Sequence, residues 1–121
     1  MPKRPSQKTA KRQADRLFSK LIRSIGYCEN CGRTEPEVQL QCAHWISRRY
    51  SNTRCDPDNA FALCAKDHMW FTAHPTEFGR WAIAQRGEDV YQRLLEASQE
   101  PAKVDWVQQR DVLQELLRET V

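Results

Sequence analysis

Two thiols three positions apart, in Cys28-Glu29-Asn30-Cys31 followed by Gly32, carry the plainest chemistry in this chain. A tight turn presents both sulfurs to one soft cation, and zinc takes four such donors in a tetrahedron. Cys64 supplies a third thiol. Asp67 and His68 lie three and four positions beyond it, so either would share a helix face with it and serve as fourth ligand. Five cysteines are an odd number, and with a CxxC spacing they read as metal binding in a reducing cytoplasm rather than as a disulfide framework. Cys42 and Cys55 are spare, with Cys42 the better candidate for an inert buried thiol.

The second chemical feature is charge. Residues 1–24 hold eight Lys/Arg against Asp15 alone, a net +7, whereas the rest of the chain holds 11 Lys/Arg and 15 Asp/Glu, a net −4. A basic arm on a mildly acidic body suits a polyanionic partner such as DNA, with Lys8, Lys11 and Arg12 as backbone contacts. A solubilising tail has the same composition.

These groups need elements to hold them. Residues 1–9, with Pro2, Pro5, Ser6 and several charges, read as a disordered arm. From about Ala10, the residues Ala14, Leu17, Phe18, Leu21, Ile22 and Ile25 recur at helical steps, and Gly26 is placed to stop that helix. Between Glu37 and Ile46 the alternation of Val38, Leu40, Cys42, His44 and Ile46 predicts a strand. A polar, arginine-bearing loop spans 47–57. Asp58 or a neighbour would cap a helix running through Phe71, with Phe61, Cys64, His68 and Phe71 on one stripe. His74-Pro75 breaks it. Short helices are expected from Thr76 or Glu77 to Gln85 and from Glu88 to Ala97, parted at Gly87, with an amphipathic helix after Pro101. The expected class is α+β and helix-rich: a strand pair and helix between terminal helices. One domain over 10–121 suffices, and an apolar fraction of 40% fills one modest core that a metal staple would help.

Three ordered segments, Cys28-Glu-Asn-Cys31-Gly32, Ala43-His44-Trp45-Ile46-Ser47 and Asp58-Asn59-Ala-Phe-Ala-Leu-Cys64-Ala-Lys-Asp67-His68, resemble the HNH, or ββα-metal, endonucleases. In order and spacing they are most similar to phage recombination nucleases of the NinG (Rap) type. The resemblance covers about residues 27–78, leaving C-terminal helices over 79–121. It implies a ββα-metal finger with a zinc knuckle, a catalytic Mg²⁺ or Mn²⁺ ion besides the structural zinc, and DNA as substrate, cut in phage or bacterial recombination. Two positions depart from the family pattern: Ala43 stands where an Asp is usual, and Asp67 where the fourth zinc cysteine is usual.

Within that resemblance, His44 is the general base. Neutral imidazole accepts a proton near its own pKa, where a base working at pH 7 does best. Asn59 would orient that ring or lie near the metal, and a helix-capping role is compatible with this. His68 would ligate either the catalytic ion or the zinc. Arg48, Arg49 and Arg54 follow His44, and their planar guanidinium forks suit phosphate oxygens. Trp45, Tyr50, Trp70 and Trp81 are read first as packing, with base stacking as the functional alternative. The class opposed to a nuclease is a non-catalytic zinc module binding DNA or a recombination protein. In a third, the terminal helices mediate assembly, for instance as a homodimer. No run nears the roughly 20 apolar residues of a membrane span, so a cytoplasmic protein is expected.

Overall fold

The computed structural model describes residues 4–101 and 103–120. The expected arm falls partly on Met1–Lys3, outside the described residues. Helix α1, Gln7–Arg23, begins three residues before the expected start because Ser6 caps it, its side chain accepting from the Thr9 amide at 3.1 Å. Ala10, Ala14 and Phe18 form its fully buried stripe, and Lys20 and Arg23 in the last turn complement the helix dipole. A short hairpin follows, closed by a bridge between Tyr27 and Thr34. Gly32 sits at φ +80° within it, left-handed backbone that glycine adopts without a Cβ penalty, and donates to the Cys28 carbonyl at 2.8 Å.

The sheet has two antiparallel strands, β1 (Leu40–His44) and β2 (Ala60–Cys64), paired from Leu40 opposite Cys64 to His44 opposite Ala60. Between them lie a one-turn helix α2, Ser51–Arg54, and a 3-10 turn at Pro57–Asn59. Residues 60–64 are therefore a strand, where helical spacing had suggested the body of a helix. The physical reason is burial on both sides: all five residues of β2 are buried, and such a strand reads as a continuous apolar run with no period-2 signature.

After β2 the chain turns directly into α3 (Ala65–Ala73), then α4 (Pro75–Arg86), α5 (Glu88–Gln99) and α6 (Trp106–Glu119). Pro75 opens α4, where its missing N–H costs nothing, and Gly87, at φ +97°, separates α4 from α5. The two faces of the sheet go to two cores. Cys42 and Ala60 pack with α1 and α6 around Phe18, Trp106, Val107 and Leu113. Ala43, Phe61 and Leu63 pack with α3 and α4 around Phe71, Phe78, Trp81 and Ala82. Gln7 joins the ends of the chain: its side chain accepts from the Trp106 amide at 2.7 Å and donates to Asp105 at 3.2 Å.

Candidate metal centre and histidine pocket

Glu29, inside the CxxC turn, docks that turn on the open edge of β2. Its amide donates to the Ala62 carbonyl at 2.8 Å, and its carboxylate accepts from the Ala62 amide at 2.7 Å. Arg86 of α4 backs the same carboxylate at 3.6 Å. Both backbone groups of Ala62 are thereby satisfied, and the turn's thiols arrive beside Cys64, two residues along the strand. Cys64 also caps α3, its sulfur accepting from the Asp67 amide at 3.4 Å, which swings Asp67 back towards the same point.

One ligand atom each from Cys28, Cys31, Cys64 and Asp67 lies within 4.8 Å of the other three. Cys31 and Cys64 sulfurs are 4.0 Å apart, and the Cys28 sulfur is 3.3 Å from Asp67 Oδ2. A tetrahedron with metal–sulfur bonds of about 2.3 Å has sulfur–sulfur edges of roughly 3.8 Å, so the donor set fits one four-coordinate ion. Burial, and then hydrogen bonds to Asp67 and Cys28 and the nearby Cys28 group, push the Cys64 thiol up to about 11 against the pull of the Asp67 amide. Burial works against the Asp67 carboxylate, yet bonds from Asn30, Cys28, Cys64 and Cys31 hold it below the usual carboxylate range. Of the two candidates for fourth ligand, Asp67 joins the three sulfurs. His68 does not: its Nδ1 meets Gln41 Oε1 at 2.8 Å on the other side of α3's first turn.

His44 ends β1 on the face turned to α1, where its ring lies 5.4 Å from that of Phe18. Its Nε2 meets the Arg54 carbonyl at 2.8 Å. A carbonyl only accepts, so the proton sits on Nε2 and the lone pair on Nδ1. Burial lowers the His44 pKa below the ordinary 6.5. The Arg54 carbonyl opposes this, the Arg48 and Arg54 charges add to it, and Asp15 opposes it. Neutral imidazole is the form favoured at pH 7.

Asn59 caps no helix. It is fully buried at the end of the 3-10 turn, accepting from the Ile46 amide at 2.7 Å and donating to the Ile46 and Thr53 carbonyls at 3.0 Å each. With its own carbonyl accepting from Trp45 at 2.8 Å, it latches the loop leaving His44 to the loop entering β2. Its side-chain hydrogen bonds go to the backbone of Ile46 and Thr53, and none joins it to the His44 ring among the described residues.

The arginines divide. Arg54 is occupied by a two-pronged pair with Asp15 (2.8 and 2.6 Å), and a third bond runs to the Arg48 carbonyl at 2.9 Å. Arg49 leans on the Tyr50 ring at 5.1 Å, and Lys11 lies over Trp106 at 5.3 Å. Lys8, Arg12 and Arg48 are exposed. Of the aromatic residues, Trp81 packs in the second core, Trp45 stacks on Tyr91, and half-exposed Trp70 stacks on His74 at 4.0 Å.

A cavity of about 300 Å³ adjoins His44, lined also by Arg48, Cys42, Gln41 and, from α1, Asp15, Ser19 and Arg23. Those three α1 residues were not among the sequence-derived site residues. Their spacing of four carried the signal, since it sets them on one helix stripe beside the buried one. The sequence alone does not say which element that stripe faces. His68 lies across the sheet, because Gln41, which holds it, alternates with Cys42 and His44 to the opposite face. Among the described residues no second cluster of three metal-binding side chains forms around His44 or His68, and the two histidines do not share a face of the sheet. No family model, curated protein or solved structure matches this chain.

Proposed function

We propose that this protein is a DNA endonuclease of the HNH kind, with His44 as general base and a structural zinc ion held by Cys28, Cys31, Cys64 and Asp67. The observation that carries the reading is His44 itself. It ends the first strand of a strand–strand–helix unit, neutral, with one nitrogen tied to a backbone carbonyl and the other basic, beside an arginine-bearing pocket. Water attacking a phosphodiester must lose a proton, and Nδ1 is the acceptor available at neutral pH. Guanidinium charge beside it stabilises the charge that builds on the phosphate oxygens. Zinc, when bound, crosslinks the CxxC turn, β2 and α3, and so fixes the frame on which β1 carries His44.

Plasmid incubated with the protein and Mg²⁺, Mn²⁺ or EDTA tests this, with His44→Ala alongside. Nicking that is lost in the variant supports the endonuclease, and the EDTA arm reports whether it needs a divalent ion. Cleavage by His44→Ala at the wild-type rate overturns it. A second reading, a zinc module that binds DNA or a recombination protein without cutting, is favoured by Ala43 and by the turn of His68 towards Gln41, which leave His44 without a metal-ligand companion. A gel shift without cleavage in any metal selects it. Action in phage or bacterial recombination belongs to the same proposal and rests on the sequence resemblance.

A further inference from the structure

We propose that Arg23, from the last turn of α1, and Arg48, from the loop after β1, form a two-armed clamp for one backbone phosphate of a nucleic acid in the cavity beside His44. This deepens the endonuclease reading and rests on it for the identity of the ligand. Helix α1 lies outside the segments that resemble the nucleases, so the clamp would bring an element from outside that motif into the site.

Three arginines and one aspartate reach this region, but Arg54 and Asp15 neutralise each other in their two-pronged pair. Arg23 and Arg48 remain beside a neutral imidazole, a surplus of two positive charges around about 300 Å³. Such a surplus attracts an anion, and a cavity of this size admits a phosphodiester with adjoining sugar.

Geometry adds the second part. Arg23 Nε donates to the Ser19 carbonyl at 3.2 Å and to Ser19 Oγ at 3.1 Å. One edge of the guanidinium is thereby anchored one turn back along α1, while Nη1 and Nη2 have no hydrogen-bond partner among the described residues. The Arg48 side chain likewise has none, although its carbonyl is held by Arg54. A fork fixed along one edge and open along the other matches two phosphate oxygens at little ordering cost. The same two guanidinium groups act on the Cys42 thiol between them, which burial nevertheless pushes up to about 12. That thiol stays neutral and does not compete as an anion.

Arg23 also lines a wider cavity of about 630 Å³, bordered by Lys20 and by Glu35, whose carboxylate accepts from the Leu40 amide at 3.1 Å, and sharing Leu40 with the first. A polymer with a charge at each repeat would run from His44 past Arg23 to Lys20, whereas a free phosphate ion would use the first cavity alone. This continuity favours a nucleic-acid strand.

The test uses the full chain with its histidines labelled with ¹⁵N, following the His44 ring signals during titration with inorganic phosphate and, separately, with a short DNA oligonucleotide. Both should give saturable shifts, tighter for the oligonucleotide. Arg23→Gln and Arg48→Gln should each weaken both midpoints about tenfold or more, as loss of a charge-assisted hydrogen bond does. Arg80→Gln, at an exposed position of α4, should leave them unchanged. No saturable shift in wild type, or an unaltered midpoint in Arg23→Gln, overturns the clamp. Should Arg23→Gln fail to fold, Arg23→Lys keeps the charge but removes the planar fork and should weaken binding severalfold; an unchanged midpoint there also overturns it. Phosphate binding that depends on Arg23, in a protein that nicks no plasmid, leaves the clamp standing and removes the endonuclease. Nicking that depends on His44, with phosphate binding indifferent to Arg23, does the reverse.

Discussion

His44 and Asn59 divide the work of the proposed site between chemistry and placement, and single substitutions separate the two. His44→Ala should slow cleavage by at least about 10²-fold while leaving DNA affinity nearly intact, because a positioned base contributes roughly 10²–10⁴ in rate and little to ground-state binding. Since burial lowers the His44 pKa, the acid limb of kcat/KM should fall below 6.5. Stability follows the same sign. The folded state prefers neutral His44, so its contribution is full above the unfolded value and is lost as pH falls through the folded one. A pH–rate profile set beside urea melts at each pH checks both. Asn59→Ala acts differently. It leaves the Ile46 amide and the Ile46 and Thr53 carbonyls without their buried partner. Roughly 2–4 kcal/mol of stability should be lost, at about 1–3 kcal/mol for an unsatisfied group with partial relaxation. Denaturant melts measure it, and a loss under 1 kcal/mol would show that the latch is not needed.

At the scale of elements, the CxxC turn, β2 and the start of α3 meet only through side chains that reach across chain breaks of 30 residues or more. Cys28→Ser or Asp67→Ala should release the proposed zinc and lower the melting temperature, because metal binding is part of the folding free energy. His68→Ala should retain it, as His68 belongs to Gln41. Elemental analysis of the three variants decides between these outcomes; zinc lost from His68→Ala and kept by Asp67→Ala would reverse the ligand assignment. The joint of α1 to α2 depends likewise on one ion pair, Asp15–Arg54, whose side chains are 28% and 12% exposed. Asp15→Asn should cost about 1–2 kcal/mol, less than the 3–5 of a fully buried pair because solvent reaches it. It should also slow cleavage, since the Arg54 carbonyl that orients His44 loses its anchor. Melts and single-turnover rates together test this.

For the whole molecule, the ends of the chain make one core and one charged face. Leu113 of α6 is fully buried against α1, and Leu113→Ala should cost about 2–5 kcal/mol in a denaturant melt. Of the basic residues in the expected arm over 1–9, Lys8 rides with Lys11, Arg12 and Arg16 on α1, a helix that this core holds in place. Removing charge without removing the helix, with Lys8, Arg12 and Arg16 each changed to Gln, should reduce the slope of log DNA affinity against log salt by up to about 3. An unchanged slope would make that face a solubilising surface. No helix among the described residues is long and apolar enough to cross a membrane.

Features that depend on local chemistry can be read along the chain. The CxxCG turn, the helix-breaking role of Gly87, the amphipathic stripes of α1 and α6 and the candidate status of Cys64 are legible because spacing along the chain dictates them. Helix α1, by contrast, stops at Arg23 with Ser24 as its cap, short of the expected Ile25 and Gly26. Residues 60–64 give no strand signal, for a physical reason. An all-buried strand has no alternation, and only pairing with Leu40–His44 makes it a strand. The rest depends on the tertiary fold. It chose Asp67 over His68 beside the sulfurs, put His44 and His68 on opposite faces of the sheet, occupied Arg54 with Asp15, and set Arg23 beside His44. Each of these depends on which faces meet across the sheet, and neither spacing nor composition records that.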